Sequence, residues 1–445
     1  MSKTKLAKQV NYKWFKLFIF SVLLTYILLF YFLFKLDLRL DFASFYASAL
    51  AYYQHSDPYK ILIGTFLSAD AKLPINLNPP FFLEIIQLLA LLDYRVAVIV
   101  WSLIIFILGL IGAYFGFKVS VSPAFFKRYW PFLLFIYLAF YPTIASTVIA
   151  QVGGLLMFFI FVGYYFYLQK KDYVAGILWG IIISLKLFPA LLFIFACQQK
   201  RYRVLGVMFI TFLIAYLIPI LTYGNHIYYV YFTILKRVLW YGDLWNASIY
   251  GFLFRFLINP QDRNPSLWLF YLLYWTIFVG ALVWYIKKLN YLQKFDNQRP
   301  FCLTLVMMLV LSPLGWLYYF PLLIMPLINL FKALNKEKLA NKFYIYLWLI
   351  ALFLANFPLG YSSTQDITLT YFCRTIGYSI YFYSLLLLAF LLSKPTFVNR
   401  NNSFTTNPIE KNYLSFPAML ILSFGLFVPM LTFVIHLIYY LVEKI

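Results

Sequence analysis

Four of the fourteen acidic residues in this 445-residue chain, Asp37, Asp41, Asp57 and Asp70, fall between residues 36 and 80. A carboxylate can take a proton from a hydroxyl group. Asp41, just after the first apolar run, is the candidate for that work. Two cations, Lys186 and Arg255, are candidates for holding an anionic leaving group. The predicted turns between apolar runs add Asp57, Tyr59, Gln151, Asn246 and Tyr318. A carboxylate and amides from some segments, with cations from others, suit a reaction on an anionic, lipid-linked substrate.

Each residue also has a structural reading. Asp57-Pro58-Tyr59 has the pattern of a cap opening a loop helix. Lys186 is long enough to snorkel to a headgroup, and Arg255 to anchor at the interface. Asn246-Ala-Ser has the form of a glycosylation sequon. His55 and His226 stand alone without metal-type spacing. No phosphate-cradling Walker loop, no Rossmann glycines and no Asp-x-Asp occur. Neither a nucleotide-sugar donor nor a metal-held diphosphate is indicated, and no metal or cofactor is expected.

The elements that position these groups are helices in a membrane. The chain is 64% hydrophobic and 11% charged, against roughly a quarter charged in soluble domains. Its apolar runs reach about 20 residues, the length a helix needs to cross the hydrocarbon. No short alternating strands with regular turns occur, which argues against an outer-membrane barrel. The expected fold is all-α and polytopic, with about 12 transmembrane helices, as one transmembrane unit over 1–445.

The net charge of +22 is not a nucleic-acid signature. Lys and Arg gather between apolar runs, at the N-terminus and around Lys118–Arg128, Lys170–Lys171, Lys200–Arg203, Lys287–Lys294, Lys332–Lys342 and Lys394–Lys411. That is the positive-inside pattern of a protein facing an anionic inner leaflet. The first sixteen residues carry five lysines and precede an apolar run too long for a cleaved signal peptide, so an uncleaved anchor with a cytoplasmic N-terminus is expected. The three cysteines, Cys197, Cys302 and Cys373, read as small core residues.

Placing the basic clusters inside makes 36–95 a first outer loop and 223–266 a second. The stretch 394–412 becomes a cytoplasmic connector. Pro79-Pro80 opens an apolar piece to about residue 92 that is too short to span. It is expected to be a helix lying along or dipping into the outer surface, with Pro at its first turn. Residues 173–199 begin and end at basic clusters with Lys186 and Pro189 between them. They are expected to form a helix-turn-helix with Lys186 at its bend, since proline breaks the helix ladder and broken membrane helices line cavities. The last run, 416–442, is one span or a hairpin bent at Pro429.

From Asp41 to about Pro326 the order of these pieces resembles the polyprenol-phosphate-mannose-dependent mannosyltransferases of glycosyltransferase family 87, in the GT-C membrane class. The shared features are an Asp in the first outer loop, Asp57-Pro-Tyr59, Asn78-Pro-Pro, and Gln151 in a Gly-Gln position. They continue with AGILWGIIISLKLFP and its basic tail, Asn246-x-Ser248-x-x-Gly251 followed by Arg255, and SPLGWLYY. The chain departs from the family pattern at Gly315 (usually Ser) and at Tyr318 (usually His). It departs again after Lys186, where Leu-Phe intervene before proline. A Tyr hydroxyl donates a hydrogen bond but carries no positive charge at neutral pH.

The resemblance implies a membrane hexosyltransferase, moving mannose from a polyprenyl-phosphate donor to a glycan or glycolipid acceptor with inversion, from a β-linked donor to an α-linked product. It implies the bacterial inner (plasma) membrane with the active site extracytoplasmic. Asp41 would be the base, and Arg255 and Lys186 would bind the donor phosphate. Asp57, Tyr59, Gln151, Asn246, Ser248 and Tyr318 would position substrate. The competing classes are a lipid-linked sugar flippase or transporter, expected to show an internal repeat and charges in both membrane halves, and a glycan polymerase or ligase, expected to carry its key residues in late outer loops.

Overall fold

A computed structural model describes residues 3–35, 41–67, 70–235, 242–258, 267–294, 298–336, 342–361, 375–394 and 414–442. The connector expected at 394–412 lies outside them apart from Lys394, and so does Cys373. Among the described residues the structure is helical, with only two isolated β-bridges, Ile63 with Lys72 and Asn246 with Trp316.

The helices are α1 (Lys3–Lys35), α2 (Asp41–Tyr53), α3 (Pro80–Ile86), α4 (Tyr94–Ser120), α5 (Pro123–Ala139), α6 (Tyr141–Val148), α7 (Gly153–Leu168), α8 (Asp172–Leu185) and α9 (Leu191–Gln198). They continue with α10 (Tyr202–Thr222), α11 (His226–Leu235), α12 (Ile249–Leu257), α13 (Trp268–Leu292), α14 (Arg299–Leu311), α15 (Ile324–Lys336), α16 (Lys342–Asn356), α17 (Ile380–Leu392) and α18 (Ser415–Val442). A 3₁₀ segment, Leu317–Leu323, precedes α15.

Among the described residues six helical stretches are long and apolar enough to cross a bilayer, and a seventh results if α5 and α6, bent by 65°, form one span. The expected dozen is not reached on length, because α7, α8, α14, α16 and α17 are apolar but only 13–16 residues long. The apolar piece after Pro79 is helical for 7 residues from Pro80 rather than continuously to residue 92. The last run is one helix of 28 residues with Pro429 inside it. At the α5–α6 break the freed Tyr141 N–H donates to Asn356 Oδ1 at 2.8 Å, since backbone polar groups within the membrane need protein partners. Cys302 is buried as expected, whereas Cys197 is exposed.

Close helix approach depends on glycine. A Cβ on Gly112 would sit 2.6 Å from the Met157 backbone, and one on Gly154 would sit 2.1 Å from Ile105 O. Small residues let α4 and α7 pack backbone to backbone, the usual device where lipid offers no hydrophobic drive between helices. The pairings 109 with 154, 112 with 157 and 116 with 161 make the two helices parallel. Likewise Gly176 meets Val204 and Val207 and Gly180 meets Met208 and Thr211, so α8 and α10 are parallel. Residues 186–201 therefore carry the chain back to the end where α8 began.

The basic segments converge on one end of this bundle. Lys118 lies over the Tyr165 ring at 4.8 Å, and Lys332 donates to Ser120 O. Gln298 donates to Val119 O at 2.6 Å, and Arg299 to Lys394 O at 2.8 Å. Arg201 pairs with Asp172 and donates to Tyr167 O at 3.3 Å. The first residue of α2 and the turns before α7, α9 and α12 lie at the opposite end.

Candidate active site

Asp41 is the first residue of α2, where the helix dipole favours a negative charge. Aromatic packing fixes that helix. Phe42 stacks on Trp101 at 5.8 Å and Phe45 meets Phe82 edge-on at 5.1 Å. The Trp101 indole donates to Ala150 O at 2.8 Å. Ala150 has a left-handed φ of 53°, a conformation costing a β-carbon residue roughly 1–2 kcal/mol. The turn it makes presents Gln151, whose amide donates to Asp41 Oδ2. Trp101 thus braces both halves of the Asp41–Gln151 contact.

Lys186 ends α8 in an extended conformation, φ −148° and ψ 124°. Pro189, three residues on, cannot supply the N–H a continuing ladder needs. A cation at this terminus also suits the helix dipole. The ammonium lies over the Tyr319 ring at 5.4 Å and faces Asp41 electrostatically. Among the described residues it makes no hydrogen bond or ion pair.

Burial raises the Asp41 carboxyl above the ordinary carboxylate range. The Gln151 hydrogen bond and the Lys186 charge act against that rise, and the Asp243 carboxylate adds to it. Asp243 also sits above its usual range, chiefly through burial. It has protein on most sides, yet its own surface is exposed. A residue in both conditions lines a recess. Nothing in the sequence sets Asp243 apart except its place in the second outer segment, three residues before Asn246.

Arg255, Asn246 and Ser248 turn inward to build the loop that carries Asp243. The Arg255 guanidinium donates to Asp243 O at 2.7 Å, Asn246 O at 3.0 Å and Ser379 Oγ at 3.1 Å. Burial lowers its pKa to about 10, so it stays charged at neutral pH. Asn246 is 0% exposed; its Oδ1 accepts from Gly315 N at 3.0 Å and its amide donates to Pro313 O at 2.9 Å. Ser248 caps α12 by accepting from Gly251 N at 2.9 Å. Gly315, one of the departures from the family pattern, packs so tightly that a Cβ would lie 2.2 Å from Leu309 O.

Asp57 and Tyr59 contact the first loop rather than Asp41. Asp57 Oδ1 accepts from Tyr59 N at 2.8 Å, and the Tyr59 hydroxyl donates to Asn78 O at 2.9 Å. Tyr318, in contrast, lies within electrostatic reach of both Asp41 and Asp243. The structure therefore brings Asp41, Gln151, Lys186, Tyr318 and Asp243 to one recess. Asn246, Ser248 and Arg255 support it from behind. Among the described residues no three His, Cys, Asp or Glu side chains converge as metal ligands.

Beside the recess lies a half-open cleft of ≈ 170 Å³ with wholly apolar walls, including Phe82, Ile85, Trp101, Leu155, Phe158 and Leu185. Leu185 adjoins Lys186, and Trp101 braces the Gln151 turn.

Long apolar helices, basic segments at one end and a carboxylate–ammonium recess at the other define an integral membrane protein with a polar site next to an apolar cleft. The chain belongs to glycosyltransferase family 87, whose model matches residues 76–314, and it is a membrane glycosyltransferase. The match takes in Gln151, Lys186, Asp243, Asn246 and Arg255; Asp41 precedes it and Tyr318 follows it. Comparison with curated proteins and with solved structures gives no match.

Proposed function

We propose that this protein is a GT-C-class enzyme that transfers a hexose, mannose in the first instance, from a polyprenyl phosphate to a hydroxyl of a glycan or glycolipid acceptor. The acceptor O–H gives its proton to Asp41 while its oxygen forms the new bond at the anomeric carbon. The bond from that carbon to the phosphate oxygen breaks on the opposite face, which inverts the configuration. Its electron pair leaves on polyprenyl phosphate, and Lys186 stabilises the added negative charge. Gln151 holds the Asp41 carboxylate in position.

One observation carries this reading: a half-buried carboxylate faces an ammonium that makes no hydrogen bond or ion pair among the described residues, beside a cleft with apolar walls. An ammonium in such surroundings favours an anion, and the cleft suits the anion's prenyl tail. The recess stands at the end of the bundle opposite the basic segments. The positive-inside rule puts those segments in the cytoplasm and the transfer on the extracytoplasmic face.

Purified full-length protein in detergent, given radiolabelled polyprenyl-phosphate mannose and lipid acceptors, is expected to label an acceptor and release polyprenyl phosphate. A flippase has no gradient or second face in detergent and would leave the donor intact. Intact donor with every acceptor tried would sink the assignment.

A further inference from the structure

Asp243 reaches the recess because its loop is stitched to the segment that follows α14. Ala247 N donates to Gly315 O at 2.8 Å, and Leu317 N to Trp245 O at 2.9 Å. The Trp245 ring meets Tyr318 edge-on at 6.2 Å, and Trp316 stacks on Tyr318 at 5.6 Å. The Tyr318 carbonyl in turn packs against Gly153, two residues beyond the Gln151 that holds Asp41. Two carboxylates thus come within electrostatic reach of Tyr318.

Tyr318 is 6% exposed, and its hydroxyl has no hydrogen-bond partner among the described residues. A hydroxyl without a protein partner is free to donate to or accept from a polar ligand group. Asp243 is held by a local turn in which its Oδ1 accepts from Trp245 N at 3.2 Å, while its surface stays open to the recess. An ionised carboxylate only accepts hydrogen bonds, and neighbouring sugar hydroxyls offer two donors side by side. The half-buried Trp245 ring can supply an apolar face for the C–H side of a pyranose.

We propose that Asp243 and Tyr318 bind the hydroxyl groups of a hexose beside Asp41. This rests on the glycosyl-transfer reading of the same recess. Asp243 is then a positioning residue that discriminates among sugars and takes no proton from the acceptor. The hexose is either the one being transferred or the acceptor's terminal residue, which present the same chemistry.

Asp243→Asn keeps the turn, since an amide oxygen still accepts from Trp245 N, but removes the charge. Tyr318→Phe removes only the hydroxyl. Saturation-transfer NMR on the full-length protein in detergent, with methyl hexopyranosides and their monodeoxy analogues, measures sugar binding without requiring turnover. Each variant is expected to weaken binding of the preferred hexose roughly tenfold or more. The deoxy analogue lacking the bound hydroxyl should bind Asp243→Asn as well as it binds the native protein. Steady-state kinetics then locate the sugar: a raised KM for donor marks the transferred hexose, and a raised KM for acceptor marks the other. Equal binding and equal deoxy discrimination in native and variant proteins would overturn the proposal, as would absence of hexose binding to the native protein. Hexose binding that depends on Asp243, without transfer from any polyprenyl phosphate, would instead refute the donor and leave this subsite standing.

Discussion

Gln151 donates its side-chain amide to the carboxylate of Asp41, 110 residues earlier in the chain. The bond joins the first turn of α2 to the left-handed turn before α7. Trp101 braces both partners, stacking on Phe42 and donating to Ala150 O. A carboxylate held in this way is oriented before substrate arrives, which is what positioned proton acceptors require.

Asp41→Asn keeps the shape of the side chain and loses its basicity. Transfer is expected to fall by about 10²–10⁴-fold, the usual contribution of a general base, with thermal unfolding in detergent unchanged. Retention of most of the activity would assign the proton to another group.

The pH profile should carry the signs of the groups around Asp41. The base works when deprotonated, so kcat/KM falls as pH drops through its pKa, which burial raises. Gln151→Leu removes an influence that lowers this pKa and should move the acid limb to higher pH. Asp243→Asn removes one that raises it and should move the limb to lower pH. Shifts in the same direction for both variants would mean the limb reports a different residue.

Arg255 distinguishes a scaffold from a phosphate ligand. Its guanidinium bridges two carbonyls and Ser379, and hydrogen bonds from a charged group contribute about 1.5–3 kcal/mol each. Arg255→Met is expected to lower stability by about 2–4 kcal/mol and to expose the 242–248 loop to proteolysis. Arg255→Lys should rescue little, because an ammonium lacks the planar fork. Unchanged stability with a raised KM for donor would return Arg255 to the phosphate.

The apolar cleft gives a chain-length test. Leu155→Trp should fill the cleft lined by α3, α4, α7 and α8 and raise KM for long polyprenyl donors. Short-chain donors, whose tails do not reach it, should be used as before. Equal effects on both would separate the cleft from the donor.

Helix packing supplies a contrast between two glycines. Gly154→Ala drives a Cβ against Ile105 O and is expected to cost about 1–3 kcal/mol or more, the range for overpacking. Gly206→Ala, with nothing within 4 Å of its Cβ, should be neutral or slightly stabilising, since Ala is the better helix residue. Thermal unfolding of the two variants in detergent makes the comparison.

What the sequence determined by itself follows from properties carried locally. Hydropathy marks the apolar helices, and Lys and Arg clusters mark the turns that share one end of the bundle. Pro189 foretells the break at Lys186. The order of motifs from Asp41 to about Pro326 resembles the family whose model matches residues 76–314. These are short-range facts, since a run of apolar residues, a proline or a charge acts wherever the chain goes.

Only the tertiary structure decided which polar groups meet. In the sequence Arg255 reads as a phosphate ligand or an interfacial anchor and Asn246 as a substrate contact or part of a sequon; packing turned both toward backbone carbonyls. Asp243, unremarkable in its segment, came to the recess because Ala247 and Leu317 hydrogen-bond across to the other strand of the Asn246–Trp316 bridge. Span lengths, too, emerge only in three dimensions: the bend at Phe140 divides α5 from α6. A hydrogen-bond partner far along the chain is chosen by distance and burial in space, and neither is written in residue spacing.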